Sequence, residues 1–235
     1  MDYDYIEGKG DYIFFLHGWG GDKNSFKICQ HSLENPMVFV SFSGFGKSCP
    51  PPYAYSVEDY ANELKELISD ICGNQKPIII CHSFGARVAA KLIAENAGIA
   101  KKLIIVDGAG VKPKRSIKYH LLVMRYKRLK KKVAHGKADK KLLDAYGSSD
   151  YKVLSGVMQK TFVKVVNEDL KKCFKKIDCE TLLIWGDKDE DTPLYMAKKI
   201  NRWIKSSALV VINDAGHFSY INNFPMFISL VRAFV

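Results

Sequence analysis

The chain has 235 residues, 47% of them hydrophobic, which suits one large domain with a full core better than two small ones. No apolar run reaches the ~18 residues that a membrane span needs, and the acidic start Met1-Asp2-Tyr3-Asp4-Tyr5 lacks the basic-then-apolar order of a secretion signal, so the expected compartment is the cytoplasm. The net charge is +11, but residues 112–141 hold 13 Lys/Arg against one acid, Asp139, so the excess is local and the rest of the chain is close to neutral.

Short apolar runs at 12–16, 37–40, 77–81, 103–106, 182–185 and 209–212 are continuous and rich in Ile, Val or Phe, as strands buried on both faces read. There is room for about one further strand before Tyr12. Helices are expected between the runs. Ser56 with Asp59 three residues on makes a capping box, the stripe Val57, Tyr60/Ala61, Leu64, Leu67/Ile68 and Ile71 follows at helical spacing, and Gly73 is a stop. Residues 84–96 are Ala-rich and helical, as are 194–205 and 223–235. Alternating strands and helices predict an α/β fold with a mostly parallel sheet covered by helices on both faces.

Residues 111–176 break the alternation. They hold no convincing strand, carry the helical stripe Leu122, Tyr126, Leu129 and Val133, and turn at Gly147-Ser148-Ser149-Asp150 into a new helix start. Such an insertion is too long for a simple crossover. It predicts a helical cap on a core made of 1–110 and 177–235, with the apolar stripe roofing an active site.

Four motifs carry chemistry. Ile80-Cys81-His82-Ser83-Phe84-Gly85 runs from a strand through a small-x-Ser-x-Gly turn into a helix, which lifts Ser83 above the sheet edge and aims a helix N-terminus at it. Phe14-Phe15-Leu16-His17-Gly18-Trp19-Gly20-Gly21 ends a strand in His-Gly and opens a glycine-rich loop. In the run from Leu183 to Pro193 the aspartates 187, 189 and 191 compete for an acid role. Asp214-Ala215-Gly216-His217-Phe218 places a histidine after the last strand and before the last helix.

With the His-Gly loop, the sequence resembles the α/β-hydrolase superfamily, from about Tyr12 to the C-terminus. The resemblance implies an oxyanion hole from the backbone N–H groups of Trp19 and Phe84, with His17 a structural residue. It selects Asp189, three residues after the strand-ending Gly186 and four before Pro193, and leaves Asp107 as the fallback acid, with Asp187 and Asp191 as loop caps or solvent-facing charges. The implied triad is Ser83 as nucleophile, His217 as base and Asp189 as its orienting acid. Two departures from the family pattern are Cys81 where Gly is usual, and Ser41 and Ser43 where Asp and Pro are usual.

Two decoys are set aside. Gly46-Lys47-Ser48 suggests a P-loop, but Ser41 stands where that pattern needs Gly, and the next helix starts only at Ser56. Cys81 reads as a buried packing thiol. None of the six cysteines forms a C-x-x-C pair or has zinc-finger spacing, so metal binding is not expected. The basic stretch around Arg125-Tyr126-Lys127-Arg128 reads first as a solvated helix face, with weak attraction to anionic surfaces as a second reading; a nucleic-acid partner is not expected. The expected activity is hydrolysis of a carboxylic ester or related acyl bond, on a small-molecule acyl substrate and without a cofactor. A C–C bond hydrolase with the same triad and a hydrolase-like receptor for a small ligand are the alternatives. Substrate-binding residues and oligomeric state are not legible.

Overall fold

A computed structural model describes residues 1–113, 117–139, 141–142, 151 and 153–235. The expected turn at 147–150 lies outside the described residues. Strands β1 (Asp2–Ile6), β2 (Ile13–Leu16), β3 (Met37–Ser41), β4 (Ile78–His82), β5 (Lys102–Val106), β6 (Glu180–Gly186) and β7 (Ser207–Ile212) form one sheet in the order β1-β3-β2-β4-β5-β6-β7. Every neighbouring pair is parallel except β1 with β3, which pair antiparallel from Asp2↔Ser41 to Ile6↔Met37. The single strand ahead of residue 12 is thus the antiparallel edge.

Strand alternation sorts the core into two layers. Phe14, Leu16, Ile79, Cys81, Leu103, Ile105, Leu183 and Trp185 point to one face, against helices α1 (Val57–Cys72) and α2 (Phe84–Glu95). Their neighbours Ile13, Phe15, Ile78, Ile80, Ile104, Val106, Leu182 and Ile184 point to the other, which the C-terminal segment covers. Residues β2 through β6 contribute are almost all buried, as continuous apolar runs predict. β7 differs: as an edge strand it is mostly half-buried.

The start of α1 forms as its sequence dictates. Ser56 Oγ accepts from Asp59 N–H at 3.3 Å, and Asp59 Oδ2 accepts from Ser56 N–H at 2.6 Å. Gly73 ends the helix at φ +56°.

Between β5 and β6 the described residues are helical or irregular and contain no strand. They include α3 (Ile117–Ala134), α4 (Gly156–Asn167) and α5 (Lys171–Phe174). After β6 come α6 (Leu194–Trp203), α7 (Ser219–Asn222) and α8 (Phe224–Phe234). No helix among the described residues is long and apolar enough to cross a membrane.

One tight point lies where α2 meets β2. A Cβ on Gly85 would stand 2.6 Å from Leu16 O and 2.9 Å from Leu16 Cβ, so backbone itself blocks any larger residue. Gly85→Ala is therefore expected to lower stability by about 1–3 kcal/mol, the usual cost of overpacking. Urea unfolding of the purified variant checks this, and an unchanged midpoint would show that the contact relaxes freely.

Candidate active site

β4 ends at His82 and α2 starts at Phe84, so Ser83 makes the strand-to-helix turn alone. It does so at φ +46° and ψ −106°, a sparsely populated region that costs a non-glycine residue about 1–3 kcal/mol. The surrounding backbone holds it there. Ser83 N–H donates to Val106 O at 3.1 Å, and Ser83 O accepts from Ala86 N–H at 3.1 Å and Ala109 N–H at 3.0 Å. Gly85 N–H donates to His17 O at 3.1 Å. Serine is a favoured helix N-cap, yet the Ser83 side chain makes no cap hydrogen bond. Its hydroxyl lies instead 3.0 Å from His217 Nε2.

His217 reaches that point from the loop after β7. Its Nδ1 lies 3.0 Å from Asp189 Oδ2, so the imidazole bridges the serine and the carboxylate. Asp189, buried after β6, is itself fixed. Its Oδ1 accepts from the N–H groups of Asp191 and Thr192, each at 2.9 Å, and its Oδ2 accepts from Thr192 Oγ1 at 2.7 Å. Burial pushes the Asp189 carboxyl up, but the His217 and Thr192 hydrogen bonds outweigh it and hold it below its usual range. For His217, burial pushes the ring down, while the Asp189 hydrogen bond and the charges of Asp189, Asp191 and Asp107 outweigh it, leaving the ring above its ordinary 6.5.

The structure thus brings Ser83, Asp189 and His217 together. The N–H groups of Trp19 and Phe84 donate to no acceptor among the described residues; Phe84 N–H is one of the unpaired donors that any helix start leaves. The two residues adjoin, their rings meeting edge-on at 5.2 Å between centroids. His17 is buried, accepts from Phe42 N–H through Nε2 at 3.0 Å and so donates from Nδ1 to Gly18 O at 2.7 Å. Both ring nitrogens are spent on the loop backbone, and burial lowers its pKa to about 4. Cys81 is fully buried in β4, with Sγ 3.3 Å from Ile104 O.

The fallback acid, Asp107, does not meet the imidazole. Its Oδ1 accepts from Gly186 N–H and its Oδ2 from Ser219 N–H, both at 2.9 Å, so it ties the ends of β5 and β6 to the start of α7. Burial raises its pKa to about 6. Asp187 accepts from Ala215 N–H at 3.3 Å, which is loop capping, and Asp191 is exposed. Asp189, Asp191 and His217 have ligand-type atoms within 4.8 Å of one another. The Asp189 carboxylate is already taken up by Thr192, the loop N–H groups and the imidazole.

Three residues that sequence reasoning missed complete the site. Thr192 clamps Asp189, and its signal is the Asp-x-x-Thr spacing, a common side-chain-to-backbone turn. His82 donates from Nε2 to His217 O at 2.7 Å and so fixes the backbone of the histidine that faces Ser83. Arg87, 8% exposed, donates from Nη1 to Val165 O at 3.0 Å and Glu168 O at 3.1 Å, joining α2 to the end of α4.

Ser83 and His217 open on a cavity of about 640 Å³, walled by Trp19, Phe84 and, from α4, Phe162, Val165 and Val166. Further bonds pin α4 over the core: Tyr55 N–H donates to Thr161 Oγ1 at 3.0 Å, and Lys164 Nζ donates to Ala54 O at 2.6 Å. This corrects the expected roof. Leu122 is 51% exposed, Tyr126, Leu129 and Val133 are half-buried, and none of the four borders the cavity. Arg125, Lys127, Arg128 and Lys130–Lys132 are exposed and keep α3 in water, so α4 forms the wall instead.

A parallel sheet carrying a strained serine turn, a histidine and a buried acid on its C-terminal edge defines an α/β hydrolase. The alpha/beta hydrolase family pattern matches residues 13–226, and the chain belongs to that family. It is 26% identical to the AB hydrolase superfamily protein YisY of Bacillus subtilis, over 97% of this chain and 92% of that one. It is 23% identical to a proline iminopeptidase of Saccharolobus solfataricus, over 98% and 86%. Its fold matches an esterase from Exiguobacterium antarcticum with a TM-score of 0.76 at 22% identity, over 99% of this chain and 94% of that one. Lipases and a meta-cleavage product hydrolase also stand among the similar proteins.

The Asp189–His217 contact makes a prediction independent of any substrate. Followed by NMR, the imidazole of His217 is expected to titrate above 6.5, and Asp189→Asn moves it downward, because burial then acts with less opposition. An unmoved titration would show that Asp189 does not charge-stabilise the ring.

Proposed function

We propose that the chain is a serine hydrolase that cleaves a carboxylic ester or related acyl bond through an acyl-enzyme on Ser83. The observation that supports this most is the hydrogen-bonded line Ser83 Oγ–His217 Nε2, His217 Nδ1–Asp189 Oδ2, each step 3.0 Å, at the wall of a largely apolar cavity. Ser83 Oγ attacks the acyl carbon while Nε2 takes its proton. The tetrahedral oxyanion is held by the N–H groups of Trp19 and Phe84. The C–O bond to the leaving group breaks as Nε2 returns the proton to the departing oxygen. Water then repeats the sequence, freeing the acid and restoring Ser83. Asp189 stabilises the imidazolium, and this chemistry needs neither metal nor organic cofactor. Residues 111–176 act as the cap, with α4 bounding the acyl pocket and limiting water. The exposed cations of α3 draw the enzyme weakly to anionic surfaces, an attraction that salt screens.

The test is hydrolysis of p-nitrophenyl esters of graded acyl length. Wild type is expected to turn over at least the lengths the cavity holds, and Ser83→Ala to lose activity on the order of 10⁶-fold. Asp189→Asn should cost about 10⁴-fold in kcat, whereas Asp107→Asn should act mainly on stability, since its oxygens hold backbone N–H groups. An Asp107 variant as inactive as the Asp189 variant, yet equally stable to wild type, would reassign the acid. Because the base works only when unprotonated and its pKa is raised, kcat/KM should fall as pH drops through a midpoint above 6.5. No turnover at any length would shift the assignment to a ligand-binding role.

A further inference from the structure

Arg87 stands one turn into the helix that Ser83 begins, about 6 Å along its axis, and it lines the same cavity. Three facts about it belong together. It is 8% exposed, among the most buried charges described. No described carboxylate lies within ion-pair distance of it: Glu168 and Asp169 act on it only as more distant charges, and Glu168 Oε2 accepts from Val57 N–H at 3.4 Å. Among the described residues its hydrogen bonds come from one nitrogen, Nη1, which donates to the carbonyls of Val165 and Glu168 at the end of α4. Those carbonyls carry the partial negative charge of a helix C-terminus, which offsets part of the burial cost and not a full unit of charge. Burial holds the guanidinium down at about 10, below its ordinary 12.5, because the charges of Glu168 and Asp169 offset only part of the desolvation.

We infer that Arg87 is the anion-recognition residue of the acyl pocket, selecting esters whose acyl chain ends in a carboxylate. A planar guanidinium with N–H groups left over is suited to a carboxylate, which it binds by charge-assisted, often bidentate, hydrogen bonds. Between it and Ser83 the wall is apolar, with Phe84, Phe162, Val165 and Val166, so methylenes fill the span between ester and acid. The acid in the wall, Asp191, lies beside His217 and repels a carboxylate from that end, which fixes the orientation. The substrate class is then the monoester of a short dicarboxylic acid. This assignment rests on the serine-esterase reading for the reaction but not for the binding.

The experiment compares monomethyl adipate with dimethyl adipate, the same bond with and without the charge, by methanol release. Wild type is expected to favour the monoester in kcat/KM, and Arg87→Gln to lower the monoester-to-diester ratio about 10- to 100-fold, the range for hydrogen bonds to a charged group. Arg87→Lys, which keeps the cation, should retain part of the preference. If Arg87 only anchors α4, both esters fall together and the ratio does not move, which overturns the proposal. So does a wild type that prefers the diester. Calorimetric titration with adipate reads the site without turnover: binding to wild type weakened about 10- to 100-fold in Arg87→Gln supports it even if neither ester is cleaved, and equal or absent binding in both overturns it. Cleavage of the diester without any monoester preference leaves the esterase reading standing and removes this one.

Discussion

The site depends on one strained residue. Ser83 occupies the turn between β4 and α2 at φ +46°, where serine does not rest by choice. The turn is held by hydrogen bonds from β5, from the segment after it and from the His17 loop, and by the lack of a side chain at Gly85. Two consequences follow from the same geometry. The serine hydroxyl, which would otherwise cap α2, is turned out toward His217. Among the described residues, the first N–H of α2 has no partner, and neither has the N–H of Trp19. The turned-out hydroxyl and the unpaired helix donor are thus two results of one backbone constraint.

Strain is concentrated on this edge. Among the described residues, the non-glycine positions at positive φ are Ser83, Asp107 and Asp214, each just past the C-terminal end of β4, β5 or β7. Parallel sheets present their ligand sites at these ends. Polar stitching between strand ends keeps the edge rigid. Asp107 joins β5 to β6 and α7, Trp185 Nε1 donates to Thr192 O at 2.6 Å, and His82 holds the carbonyl of His217 across 135 residues of sequence. The histidine that faces Ser83 is therefore positioned at both its ring and its backbone. The burial of His82, which drives its pKa down to about 3, keeps it neutral, so it does not compete with His217 for protons.

The sheet was legible because buried parallel strands are written as unbroken apolar runs, and Ser83 and His217 were legible because each follows such a run at a turn that needs small or polar residues; Asp189 was separated from Asp187 and Asp191 only by the resemblance to the family. The short strand β1 was legible only as room for one, since Asp2–Ile6 alternates charge and aromatic as an edge strand does. What the sequence concealed was long-range. The stripe Leu122, Tyr126, Leu129 and Val133 has helical spacing, but spacing does not tell which neighbour a helix packs on, and the cations on its flanks leave it half in water. The wall fell to α4, whose Phe162 meets Trp19 at 5.0 Å between ring centroids. Likewise Arg87 reads as an ordinary helix cation until its burial against Val165 and Glu168 is seen.

The central claim is that the Ser83 hydroxyl is made nucleophilic by His217. The most direct measurement is the rate and site of covalent labelling by a fluorophosphonate, read by intact mass and peptide mapping, in wild type and in His217→Ala. The account predicts one adduct per chain, on Ser83, forming rapidly in wild type and far more slowly without the imidazole. Labelling at another serine, no labelling in wild type, or equal rates in the two proteins would contradict it.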